Sequence, residues 1–119
     1  MDANCALANQ ACTPCRGEVP ALAPSEQEAR LSQLPTDWQL VEHHHLEKVF
    51  PFRDFAQALA FTNAAGAVAE QEHHHPELIL TWGKVTVRIW THKIDGLTHS
   101  DFVLAAKIDR AYIPSVPLS

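Results

Sequence analysis

The sequence predicts an α+β fold, a four-stranded antiparallel sheet with helices packed on one face, in the order α-β-β-α-β-β-α. Three observations lead there. Period-two alternation runs through Leu78, Leu80 and Trp82 and again through Val85, Val87 and Ile89, with Gly83 between the runs, which predicts a hairpin. A looser alternation from Trp38 to Phe52 turns near His43, His44 and His45 and reads as a second hairpin. Helical stretches with capping residues at their starts flank and separate the two hairpins. Hairpins impose antiparallel pairing, and the helices then have one sheet face to cover.

Residues 1–23 are rich in Ala, Asn, Pro and Cys without a sustained period and read as an arm, which leaves a single domain over residues 24–119. Ser25 and Glu28 have the spacing of a capping box, and Pro35 stops the short helix they begin. Leu31 and Leu34 are its apolar contacts. Asp54 and Gln57 are placed as the N-terminal cap pair of the second helix. Its expected apolar face is Phe55, Ala58, Leu59, Thr62 and Ala65, with Phe61 and Val68 flanking, and Pro76 ends it. Asp95-Gly96 marks a turn. Thr98 and Asp101 have the spacing of an N-cap and an acidic third residue, so the last helix starts there, buries Phe102, Ala105, Ala106 and Tyr112, and stops at Pro114.

Composition bounds the function. At 119 residues, 46% apolar and 19% charged, the chain has the make-up of one globular domain. A formal net charge of -5 offers no basic stripe for nucleic acid. No apolar run reaches the length of a membrane span, and Met1-Asp2-Ala3-Asn4 opens without a signal-peptide pattern, so a cytoplasmic protein is expected. A core of this size and exposed sheet edges favour a homodimer or homotetramer. Cys5, Cys12 and Cys15 are odd in number, against a closed disulfide framework. Cys12-x-x-Cys15 with Cys5 has metal-ligand spacing, but no second Cys pair follows to complete a tetrahedral site. Reduced thiols on an arm are the simpler reading.

The eight histidines fall into His43-His44-His45, His73-His74-His75, His92 and His99. A turn centred just past Gly83 sets His75 opposite His92 at the open end of the hairpin, where imidazoles of cross-strand neighbours can address one small ligand. Gly96 lets the chain reverse and bring Asp101 back, and Glu70 stands one helical turn before His74. Histidine suits reversible proton transfer near neutral pH. A metal held by His74, His75 and His92 is the chemical rival. Adjacent residues on a strand point to opposite faces, so only a turn or helix end would let His74 and His75 share an ion. His43, His44 and His45 read as a solvated turn, and His99 as an exposed first-turn residue. Trp90 shares strand parity with Arg88 and His92, so a place bordering the pocket or a subunit contact is open to it.

Glu70-x-x-x-His74-His75-Pro76, Trp82, His92 and Asp101, with Asp37-Trp38 and Phe52-x-Asp54-Phe55-x-x-Ala58 upstream, resemble the signature of pterin-4a-carbinolamine dehydratases. The likeness covers residues 25–113. Leu46-Glu47-Lys48-Val49, Trp82-Gly83-Lys84-Val85-Thr86-Val87 and the Cys12-x-x-Cys15 arm look most like its bacterial branch. The resemblance implies dehydration of 4a-hydroxytetrahydropterin to quinonoid dihydropterin, which recycles the cofactor of aromatic amino-acid hydroxylases, and needs no metal or organic cofactor. It implies that His74, His75 and His92 are the catalytic residues, with Glu70, Asp101 and Trp38 supporting them or binding substrate. It also leaves a second class open, a non-catalytic dimerisation or regulatory module of the same fold.

Overall fold

β4 (Lys84–Ile89) is the strand on which the sheet is built, with β3 (Glu77–Thr81) on one side and β2 (His45–Pro51) on the other. β1 (Gln39–Val41) completes the order β1-β2-β4-β3, and every pairing is antiparallel. These relations come from a computed structural model that describes residues 7–10, 12, 20–35 and 37–112. Three helices complete it: α1 (Pro24–Leu31), α2 (Phe55–Glu72) and α3 (His99–Ala111). The α+β class and the element order are those predicted from the sequence.

Alternation decides which face carries the helices. Val85, Val87 and Ile89 on β4 and Leu46 and Phe50 on β2 are fully buried, while Lys84 and Val49 between them face out. α3 lies in the middle of the molecule, with Phe102, Val103, Leu104, Ala105 and Ile108 fully buried. Each such side chain contributes about 1.5–3 kcal/mol relative to exposure, or less for alanine, so α3 and the strands beneath it are the stable centre. Asp54 caps α2 as expected, its carboxylate accepting from the Gln57 N–H at 2.9 Å.

Several details differ from the sequence reading. α1 starts at Pro24, with Ala23 as N-cap and the Glu26 carboxylate accepting from the Ala23 N–H at 2.9 Å, because proline fits the first helical position better than it fits a cap. The buried face of α2 is Ala58, Phe61, Ala65 and Ala69, whereas Phe55 and Leu59 are 45% and 40% exposed. Alanines let α2 approach α3 closely, and that turns Phe61 inward to stack against Phe50 with ring centroids 4.7 Å apart. The arm is partly docked: Leu7–Asn9 forms one 3-10 turn with Leu7 buried in the core. Cys5, Cys15 and Pro114 lie outside the described residues.

Candidate active site

α2 ends where a site begins. His73 adopts the left-handed conformation (φ 55°), its N–H bonding the Glu70 carbonyl and the His74 N–H bonding the Ala69 carbonyl. Pro76 cannot continue the helix, so His74, His75 and Pro76 form an extended link into β3. The two histidines therefore lie beyond a helix end and not on a strand. Strand parity does not separate them, and both line one cavity of about 350 Å³. Cys12, Glu72, His73, Trp90, Thr91 and His92 contribute to its wall, with Lys93.

The β3–β4 turn consists of Trp82 and Gly83, with Thr81 paired to Lys84. This sets the register two residues from the sequence estimate, so the ladder points His75 toward Trp90 and not toward His92. His92 still reaches the cavity, from a 3-10 turn (His92–Ile94) that follows β4. Backbone hydrogen bonds between Thr91 and Gly96 close that loop, and Asp95 turns it with φ 51°.

Asp101 is the buried anchor. Its Oδ1 accepts from His74 Nε2 at 2.6 Å, and its Oδ2 accepts from the Thr91 hydroxyl at 2.8 Å and the Thr98 N–H at 2.7 Å. The carboxylate has no solvent exposure, and the His74 side chain retains 11%. A carboxylate only accepts, so Nε2 of His74 carries the proton of this pair, and Nδ1 is the ring nitrogen not engaged by Asp101. The sequence places Glu70 one turn before His74. The structure pairs it with His75 instead, Nε2 to Oε1 at 2.9 Å and both exposed, because the helix stops at Glu72. The bond from His75 holds the Glu70 carboxyl below its ordinary range.

Trp38 is not on this cavity. It is buried in the core against Phe50, and its Nε1–H donates to Asp109 at 3.2 Å, beside a Lys48–Asp109 ion pair. Other wall residues carried little sequence signal. Cys12 comes from the arm: its N–H donates to Glu72 Oε1 at 2.9 Å and its Sγ to the Ser100 carbonyl at 3.6 Å. Burial, and then the neighbouring Glu72 carboxylate, push the Cys12 thiol up to about 12. The Cys12 N–H draws the Glu72 carboxyl below its usual range, helped by Lys107 at 3.4 Å. Of the first histidine triplet only His43 behaves as a solvated turn residue. His44 and His45 are half-buried and pack on Trp90, with centroids 5.2 Å and 5.6 Å away. His99 is half-buried as well, its Nδ1 accepting from Arg30 Nε at 2.9 Å. Among the described residues no group of three or more His, Cys, Asp or Glu is placed to hold a metal ion, and no helix is long and apolar enough to cross a membrane.

Fold and cavity together define a class: a small α+β protein with an imidazole-lined pocket where β3 begins and β4 finishes. The profile of the family described as pterin 4 alpha carbinolamine dehydratase matches residues 20–111. The chain belongs to this family. It is 51% identical over 109 residues to a protein of Rickettsia bellii (strain OSU 85-389), covering 92% of this chain and 96% of that one. A protein of Alkaliphilus metalliredigens (strain QYMF) is 48% identical over 104 residues, covering 87% and 94%. Both bear the name "Putative pterin-4-alpha-carbinolamine dehydratase". The crystal structure of a transcriptional coactivator/pterin dehydratase from Brucella melitensis superposes with a TM-score of 0.71 at 33% identity, covering 76% of this chain and 97% of that one. A pterin dehydratase-like protein described as a RuBisCO assembly factor in the alpha-carboxysome shares the fold, with a TM-score of 0.55 at 23% identity, over 63% of this chain and 88% of that one.

Proposed function

We propose that this protein dehydrates 4a-hydroxytetrahydropterin by acid/base catalysis from His74, His75 and His92, recycling the cofactor of an aromatic amino-acid hydroxylase. The observation that carries the reading is the His74–Asp101 pair at 2.6 Å on a cavity that His75 and His92 also line. In the reaction one imidazolium gives its proton to the leaving 4a-hydroxyl, which departs as water. One neutral imidazole takes the proton from ring N5, and the N5–C4a double bond forms. The two histidines finish with their protonation states exchanged, so the pair needs only proton exchange with solvent to turn over again. Asp101 fixes the tautomer and orientation of His74, and Glu70 does the same from outside for His75.

The test is a pterin-dependent hydroxylase reaction supplemented with this protein, with decay of the 4a-hydroxy intermediate followed by absorbance. Acceleration over buffer is expected, and none would refute the reading. A binding module of the same fold is the alternative, and it predicts biological activity that survives His74→Ala. The carboxylate caps α3 through Oδ2, which a scaffold would also need, but its Oδ1 is aimed at one imidazole of the cavity, and that second contact favours the enzyme.

Self-association belongs to the same reading. β3 is an edge strand with Ile79 exposed and the Trp82 turn beside it 69% exposed, and Phe55 and Leu59 stand bare on α2. Light scattering at micromolar concentration should give a dimer or tetramer, and a particle of monomer mass would contradict it.

A further inference from the structure

We infer that His44 is a positioning residue for the reaction: through Asp95 and Trp90 it holds the loop that presents His92. The inference rests on the proposed role of His92. Its starting point is the β1–β2 turn, where Glu42 and His43 take φ 53° and 55° and the His44 N–H bonds the Val41 carbonyl at 2.9 Å. This tight reversal delivers His44 and His45 to the end of β2, and the β2–β4 register, ending at Leu46 opposite Ile89, places His45 beside Trp90.

Trp90 is thereby packed from two sides. The His44 and His45 rings lie against it, and its own ring lies 4.5 Å from that of His92, centroid to centroid. His44 Nε2 also donates to Asp95 Oδ1 at 2.7 Å, and Asp95 is the left-handed residue that closes the His92 loop. One imidazole thus touches the loop at its hinge by a hydrogen bond and at its root by ring packing. The Asp95 side chain is largely exposed, so the hydrogen bond alone is weak. Its effect comes from acting together with the ring stack on a loop already closed by the Thr91–Gly96 bonds. Such a restraint is worth a rate factor of tens, not thousands.

The experiment separates this role from a general loss of stability. Decay of the 4a-hydroxy intermediate is measured for His44→Ala, His44→Gln, His44→Phe and His43→Ala, and His44→Ala is repeated in a His92→Ala background. His44→Ala is expected to lower kcat/KM roughly tenfold. Gln, which keeps a donor for Asp95, and Phe, which keeps a ring for Trp90, each recover part of the loss. In the His92→Ala background, His44→Ala adds nothing, because the residue it positions is gone. The NMR resonances of the His92 ring, displaced by the Trp90 ring current, move in His44→Ala and stay in His43→Ala. His44→Ala indistinguishable from His43→Ala would overturn the inference, as would a full-sized effect that persists without His92. If His92→Ala keeps wild-type activity, the proposed role of His92 fails and takes this inference with it. An impaired His92→Ala beside an unimpaired His44→Ala defeats the inference alone.

Discussion

His74 Nε2 stands 2.6 Å from Asp101 Oδ1, and the same carboxylate closes the capping box of α3 through the Thr98 N–H at 2.7 Å. One side chain therefore serves the fold and the site, and its two roles can be separated. Asp101→Ala opens the capping box of α3 and strands two buried donors, the Thr91 hydroxyl and the Thr98 N–H, which should cost about 2–4 kcal/mol in urea unfolding. Asp101→Asn keeps the volume and one acceptor, so most stability should survive. Its activity should still fall about a hundredfold, because the amide cannot fix His74 in the same tautomer. Equal losses of stability and activity in the two variants would contradict the dual role.

His99 makes stability depend on pH. Its Nδ1 accepts from Arg30 Nε at 2.9 Å and its Nε2 donates to Gln10 at 2.6 Å, an arrangement only the neutral ring can make. Burial, and then repulsion from Arg30, hold its pKa below the ordinary value of 6.5. The unfolded chain then binds the proton more readily than the folded one. The stability His99 contributes is complete above about pH 6.5 and is lost as pH falls toward the lower folded value. Thermal unfolding from pH 7.5 to 5 should show a smaller acid-side loss in His99→Gln than in the unsubstituted protein. Parallel curves would refute the assignment.

Cys12 should be slow to react. A thiol pushed up to about 12 carries almost no thiolate at neutral pH. With Cys5 and Cys15 replaced by serine, iodoacetamide at pH 7.5 should label the native protein far more slowly than the same protein in urea. Equal rates would show that the arm does not hold Cys12 against Glu72.

Glu70 and His75 form an exposed pair, so the proposed reading gives the carboxylate an orienting role and little part in stability. Glu70→Gln should leave Tm unchanged while raising KM a few-fold, about what a rim hydrogen bond supplies. An unaltered KM would remove Glu70 from the site.

Features set by short-range chemistry were legible in the sequence. The caps at Asp54 and Thr98, the two hairpins and the clean alternation of β4 follow from neighbours a few residues apart. Features that depend on packing were not. Phe55 and Leu59 look like the core face of α2 by hydrophobicity, but the buried stripe is Ala58, Phe61, Ala65 and Ala69, whose small side chains allow a closer fit to α3. Trp38 matches a motif and still points into the core. Within the site, His74 with Asp101 could be anticipated from the turn at Gly96. The pairing of Glu70 with His75 could not, since it depends on a left-handed His73 that sequence does not announce. Cys12 and His44 reach the cavity region across the fold, and no local pattern marks either one.

The most direct test is the first-order decay of the 4a-hydroxy intermediate with unsubstituted protein, His74→Ala and His92→Ala at equal concentration. The unsubstituted protein should accelerate the decay, and each substitution should remove about a hundredfold or more of that acceleration. Decay unchanged by His74→Ala, in a protein whose folding is intact, would contradict the claim that the Asp101-held imidazole transfers the proton.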